Sequence, residues 1–215
     1  MDSYGTGPQS DYKRLELLRS SPPPAERADA ARNRAAVLDA AARLFREHGV
    51  DGVSMDAIAA EAGVGKGTLF RRFGDKAGLA VALLDARERE LQEAILFGPA
   101  PLGPNGKTTA ARRLEAFVSA YLDYALAHLD LARMSETASA GNRYRLGAYR
   151  FWHQHVALLL ADHSPDPESD AHTLLAPLAA EHLRAVLAET GEKRLRKSML
   201  RNAASYVEYP QPRRA

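Results

Sequence analysis

The stretch that decides the fold reads GVGKGTLFRRFGDK, residues 63–76, with four glycines, two adjacent arginines and two phenylalanines inside an otherwise helix-forming pattern. Its opening, GVGKGT, invites comparison with a phosphate-cradling loop. That motif needs a hydroxyl residue directly after the lysine, a glycine five residues before its second glycine, and a strand feeding the loop. Here Gly67 follows Lys66, Ala60 holds the earlier place, and the preceding residues carry a helical pattern. A helix-turn-helix fits the same residues. Gly63 can take the left-handed turn between two short helices without steric cost. Val64 plugs the space beneath the turn, Ala59 is small enough for the close helix crossing, and Ile58, Leu69 and Phe73 close a small core.

Working outward, Ser54 precedes Met55-Asp56-Ala57-Ile58, so its hydroxyl can cap the first of these helices and Asp56 suits the positive end of that helix. Upstream, Val37, Leu38, Ala41, Leu44, Phe45 and His48 recur at three- and four-residue steps from Arg32, and Gly49 ends that helix. Downstream, a helix capped by Asp75 runs to about Leu96 and stops at GPAPLGPNG, residues 98–106, where prolines and glycines forbid a regular element. Beyond lie helical patterns around 114–129, 131–139 and 143–163. A final stripe pairs Leu174-Leu175, Leu178-Ala179, His182-Leu183 and Val186-Leu187 until Gly191, and a more basic helix follows from Glu192 to about Tyr206. Pro177 falls inside the stripe and is expected to kink it. No alternating strand pattern occurs, so the expected fold is all-α.

The expected organisation is a disordered N-terminal arm (1–28, with Pro22-Pro23-Pro24), a helix-turn-helix domain (29–76), a connecting helix (77–97), a linker (98–106), a helical domain (107–207) and a disordered tail (208–215). The 215 residues contain no cysteine, which excludes disulfides and thiolate metal sites, and the formal net charge is +2. The N-terminus lacks a secretory pattern and no apolar run approaches the roughly 20 residues of a membrane span. A cytoplasmic protein without membrane contact is therefore expected.

A helix entering the major groove presents its first turn to the base edges. Gly65, Lys66, Gly67 and Thr68 form that leading end. Glycine inside a helix costs about 1 kcal/mol against alanine, and close approach of the backbone to DNA gives a reason to accept the cost. Lys66 can reach guanine or phosphate, and Thr68 a thymine methyl or a phosphate. Arg71 and Arg72 on the next turn suit the sugar-phosphate walls or a bidentate base contact. Lys76, with free backbone amides at the next helix start, is expected to make an anion site. Taken alone, the arginines fit an ordinary solvated basic end equally well; the turn glycine, small crossing residue and cap tip the balance.

Over residues 32–84, LFREHG followed by SMDAIAAEAGVGKGTLFRRFGDKAGL resembles the DNA-binding domain of the TetR/AcrR transcriptional regulators. The resemblance implies a homodimer that binds double-stranded operator DNA through positions 66–72 and Lys76, and a C-terminal helical domain that binds a small-molecule effector and thereby releases the DNA; Ser54 and Gly65 are expected in the same contact surface. Phe70 stands where the family commonly has tyrosine, which removes a phosphate hydrogen bond, and Arg71-Arg72 replaces frequent His or Tyr pairs.

The second half gives broader signals. Phe117, Tyr121, Tyr124, Met134, Tyr149, Trp152 and His153 suit either an apolar effector pocket with polar tips or plain core. Leu174, Leu175, Leu178, His182, Leu183 and Val186 form a stripe wider than one packing partner needs, which suits a subunit interface or the central helix of a monomeric bundle. His153 and His155, two apart, point to different sides of a helix, so neither a metal nor any other cofactor is expected. No nucleophile and base are tied into a catalytic arrangement, so an enzyme is not expected. The rival readings are an enzyme built around His153 or His182, and a helical protein-interaction module without DNA binding.

Overall fold

The computed structural model describes residues 28–208, and all their regular elements are helical. The expected arm and tail lie outside the described residues, save their inner boundary residues Ala28 and Glu208, which are helical. The helices are α1 Ala28–His48, α2 Met55–Glu61, α3 Lys66–Phe73, α4 Lys76–Phe97, α5 Ala110–Ala127, α6 Leu129–Glu136, α7 Asn142–Arg145, α8 Gly147–Leu160, α9 Pro167–Leu175, α10 Ala180–Thr190 and α11 Glu192–Glu208. No helix among the described residues is long and apolar enough to cross a membrane.

The chain divides into two compact units. The first holds α1 to α3, α4 up to Ala86, and α6. Val37, Ala41, Phe45, Ile58, Ala59, Leu69, Phe73 and Leu79 form its core. These are the apolar faces that the helical spacing marks on the sequence. Leu131 and Met134 of α6 also pack on this core, and Arg133 reaches the Asp51 carboxylate at 3.0 Å. The sequence groups α6 with the C-terminal helices, because nothing local reveals a return of the chain after eighty residues.

The second unit holds the rest of α4 with α5 and α7 to α11. Phe117, Leu122, Phe151, Leu160, Leu174 and Leu195 are fully buried within it. Two expectations are corrected here. The pattern at 143–163 is two helices, because Leu146 adopts an extended conformation (ψ 136°) between α7 and α8. The stripe at 174–190 is not one kinked helix either. Pro177 has no amide hydrogen to give and its ring crowds the preceding turn, so α9 passes into a short 3-10 turn, Ala176–Leu178. Ala179 then turns extended (ψ 140°) before α10. Gly191, with φ at 75°, closes α10 as expected.

Candidate nucleic-acid interface

Ser54 caps α2, its Oγ accepting from the Ala57 amide at 3.1 Å. At the other end Gly63 holds φ at 65°, the left-handed conformation that a side chain would strain. The turn is fixed by the Val64 amide, which donates to the Ala59 carbonyl at 3.0 Å, and Val64 packs on the core below. These contacts set the start of α3. Its inner face, Leu69 and Phe73, is buried, so Lys66, Gly67, Phe70 and Arg71 must face outward, and all four are exposed.

Gly65 is the N-cap of α3 and only Gly67 lies within the helix. The helix-interior cost of glycine therefore falls on one residue, since glycine is a fair N-cap. A methyl built on Gly67 would meet nothing within 4 Å, and one on Gly65 only Thr68 Oγ1 at 3.9 Å. Internal packing does not require either glycine. The contrast is Gly78, where a methyl would stand 1.9 Å from the Phe73 carbonyl oxygen. That glycine lets α4 pack against the end of α3, helped by Asp75, whose Oδ1 accepts from the Gly78 amide at 2.8 Å.

The charges around α3 differ in how free they are. Lys66 pairs with the Asp56 carboxylate across the turn. Both side chains are exposed, and such a pair is worth under about 1 kcal/mol, so a phosphate can compete for the ammonium. Arg71 is exposed. Arg72 is half-buried and lines a depression with Thr68 and Arg71 on one side and Ala30, Asn33 and Val37 of α1 on the other. A neighbouring depression is lined by Arg34, Arg72, Gly78 and Asp85. Asn33 and Arg34 escaped the sequence reading. Their signal is a polar pair on the first turns of α1, next to the core residue Val37, and it gains meaning only once α1 lies beside α3.

Lys76 is a correction. Its ammonium donates to the Val50 carbonyl at 2.8 Å and the Val53 carbonyl at 2.9 Å, tying the α1–α2 connection to the start of α4. Three residues past α3, the chain has turned and the side chain lies inward, so its charge supports the domain instead of forming an open anion site.

In the second unit the seven pocket candidates do not form one set. Phe117, Tyr121 and Trp152 touch one another with ring centroids 6.0–6.1 Å apart, and Tyr124 adjoins Tyr121 while its hydroxyl donates to Glu88 at 2.8 Å. Tyr149 and His153 belong to a second cluster with His172, which the sequence did not single out. The Tyr149 hydroxyl lies 2.7 Å from His172 Nδ1, and the two imidazoles stand 3.9 Å apart. Burial pushes the Tyr149 phenol up to about 12 and lowers His172, with the His153 charge adding to the latter. Met134 lies with the core of the first unit. His155 is fully buried against Phe117, its pKa lowered to about 3 by burial and then by the Arg113 charge, and its Nε2 has no hydrogen-bond partner among the described residues. Among the interface candidates, Leu174, Leu175, Leu178 and Leu183 are buried within the chain itself. The break at Pro177 lets residues on both sides of it point into one core, which is why the stripe looked too wide. His182 stays exposed and Val186 half-buried.

Residues 37–83 match the family model described as bacterial regulatory proteins, tetR family. An HTH-type transcriptional regulator of Staphylococcus aureus (strain USA300) is 49% identical over 53 residues, which are 25% of this chain and 29% of that protein, and its counterpart in strain N315 matches equally. The match thus spans under a third of these relatives' length. Two solved structures resemble the fold more fully. A TetR-family transcriptional regulator from Rhodococcus sp. is 20% identical with a TM-score of 0.54, covering 82% of this chain and 99% of that one. A TetR/AcrR-family transcriptional regulator from Thermobifida fusca is 18% identical with a TM-score of 0.53, covering 80% and 96%. Residues 37–83 thus carry the helix-turn-helix signature of the tetR family, and the likeness along most of the remaining length is one of fold.

Proposed function

We propose that the chain is a sequence-specific, DNA-binding transcriptional regulator that acts as a homodimer on a near-palindromic operator and answers to a small molecule, most simply as a repressor. The observation that carries this reading is the outer face of α3: an exposed leading turn with two glycines that packing does not demand, followed at once by exposed Phe70 and Arg71. A duplex is the partner that such a face suits. Bare backbone and free first-turn amides approach the groove, and the guanidinium groups of Arg71 and Arg72 meet its walls. Ser54, Gly65, Lys66, Gly67, Thr68 and Phe70 complete the contact surface, with Asn33 and Arg34 of α1 at its edge.

Two copies related by a twofold axis would set two such helices into successive grooves, which requires symmetry in the DNA. His182 and Val186 are the surface candidates that remain for the subunit contact. The effector reading rests on the aromatic groups of the second unit, Phe117, Tyr121, Tyr124 and Trp152, with Tyr149, His153 and His172 beside them. A ligand that binds one spacing of the recognition helices better than the other shifts the population between them.

The test is to recover genomic fragments retained by the purified protein and titrate them at several salt concentrations. Retention of a symmetric sequence with a steep salt dependence supports the reading. If Arg71 and Arg72 each meet one phosphate per half-site, Arg71→Ala or Arg72→Ala should flatten the slope of log K against log salt by about 2 in a dimer. Retention of no duplex, or slopes unaltered in both variants, would refute the assigned contacts.

A further inference from the structure

Phe70 is the one residue on the outer face of α3 that neither charge nor bare backbone explains. It is 42% exposed, while its helix neighbours Leu69 and Phe73 are 1% and 9% exposed in the core. A phenyl ring left in water on a helix of eight residues gains nothing for folding, since that helix already has two apolar anchors. Nor does a phosphate wall reward it, because the ring carries no hydrogen-bonding group.

Resting on the DNA-binding reading above, we infer that Phe70 reads the C5-methyl group of a thymine in each half-site. Thymine is the base that presents an apolar group in the major groove, and a phenyl ring is a fitting partner for it. The surroundings make the contact reachable. Gly67 lies one turn before Phe70 on the same outer face and has no side chain to hold the helix off the base edges. Arg71 is exposed beside it and Lys66 lies one turn back, so cations flank the ring and fix the helix to the backbone while the ring faces inward to the bases. The position thus specifies sequence, whereas the adjacent charges supply affinity. It also accounts for the lack of a hydroxyl on this ring: a polar tip would have to give up its water to reach a methyl group.

The experiment perturbs the DNA and leaves the protein intact. In the duplex recovered by the full-length protein, each thymine is replaced in turn by deoxyuridine, which removes only the methyl group, and affinity is measured for the wild type, Phe70→Ala and Phe70→Leu. One thymine per half-site should be sensitive. Its loss should weaken wild-type binding about fourfold, the equivalent of burying one methylene-sized group, and about fifteenfold when both half-sites are changed. Phe70→Ala should bind the thymine and deoxyuridine duplexes equally well, and Phe70→Leu should keep part of the difference. A purely structural role for Phe70 would weaken binding to both duplexes alike and leave the methyl penalty in place. That result overturns the inference, as does a duplex in which no thymine is sensitive. A protein that retains no DNA removes the regulatory reading together with this one, while uniform tolerance of deoxyuridine by a protein that still binds removes this one alone.

Discussion

Acid should destabilise this protein chiefly through the buried imidazole of His155. His155 is fully buried beside Phe117 and its pKa falls from 6.5 to about 3, because burial opposes the charged form and Arg113 adds repulsion. The unfolded chain therefore takes up a proton near pH 6.5 that the folded chain refuses until about pH 3. Stability conferred by the neutral ring is complete above pH 6.5 and is lost progressively as pH falls between those values. From pH 7 to pH 5 that loss is about 2 kcal/mol, given 1.36 kcal/mol per pH unit once the unfolded group titrates. Replacing the ring by a leucine should remove this component. It should also remove the cost of a buried Nε2 that has no hydrogen-bond partner among the described residues, which is about 1–3 kcal/mol. Urea unfolding of the wild type and His155→Leu at both pH values gives the numbers directly. The wild type should lose about 2 kcal/mol more than the variant on acidification, since His172 and every other group common to both proteins cancel in the difference. Equal losses would show that His155 either charges within the fold or is hydrated there, and the reasoning would fail.

Further outcomes follow from the α3 region. Gly67→Ala should raise stability by about 0.5–1 kcal/mol, because the added methyl meets open space in a helix, yet weaken DNA binding; a variant that binds undiminished would deny close backbone approach. Gly78→Ala should lower stability by about 1–3 kcal/mol, read by chemical denaturation, since its methyl collides with the Phe73 carbonyl. Lys76→Met should cost a similar amount by loss of the bonds to Val50 and Val53. It should leave the salt slope of DNA binding unchanged, and a flatter slope would return its charge to the phosphates.

The helix-turn-helix was legible because its determinants are local. Cap, turn glycine, plug and crossing residue all fall between Ser54 and Val64, and each acts on backbone within a few residues of itself. The outward placement of Lys66, Gly67, Phe70 and Arg71 follows as well, since Leu69 and Phe73 claim the other face. Lys76 was misread for the same reason that the motif was read well. Its local setting, a basic residue at a helix start, suggested an anion site, and only the return of the α1–α2 connection beside it supplied the two carbonyls that accept from its ammonium. Pro177 shows a different limit. Its ring forbids a regular turn, but whether a helix kinks or stops there depends on what the two segments pack against.

The sequence by itself determined the helical class, the caps and the face of α3 turned to solvent, because apolar spacing and turn chemistry act over distances shorter than one helix. Tertiary structure alone decided that α6 joins the first unit, that the aromatic groups separate into two clusters with His172 in one, and that the leucines around Pro177 serve a single interior. Those outcomes turn on which distant surfaces meet. A pattern of apolar residues says that a face must be covered, and only the packed chain says by what.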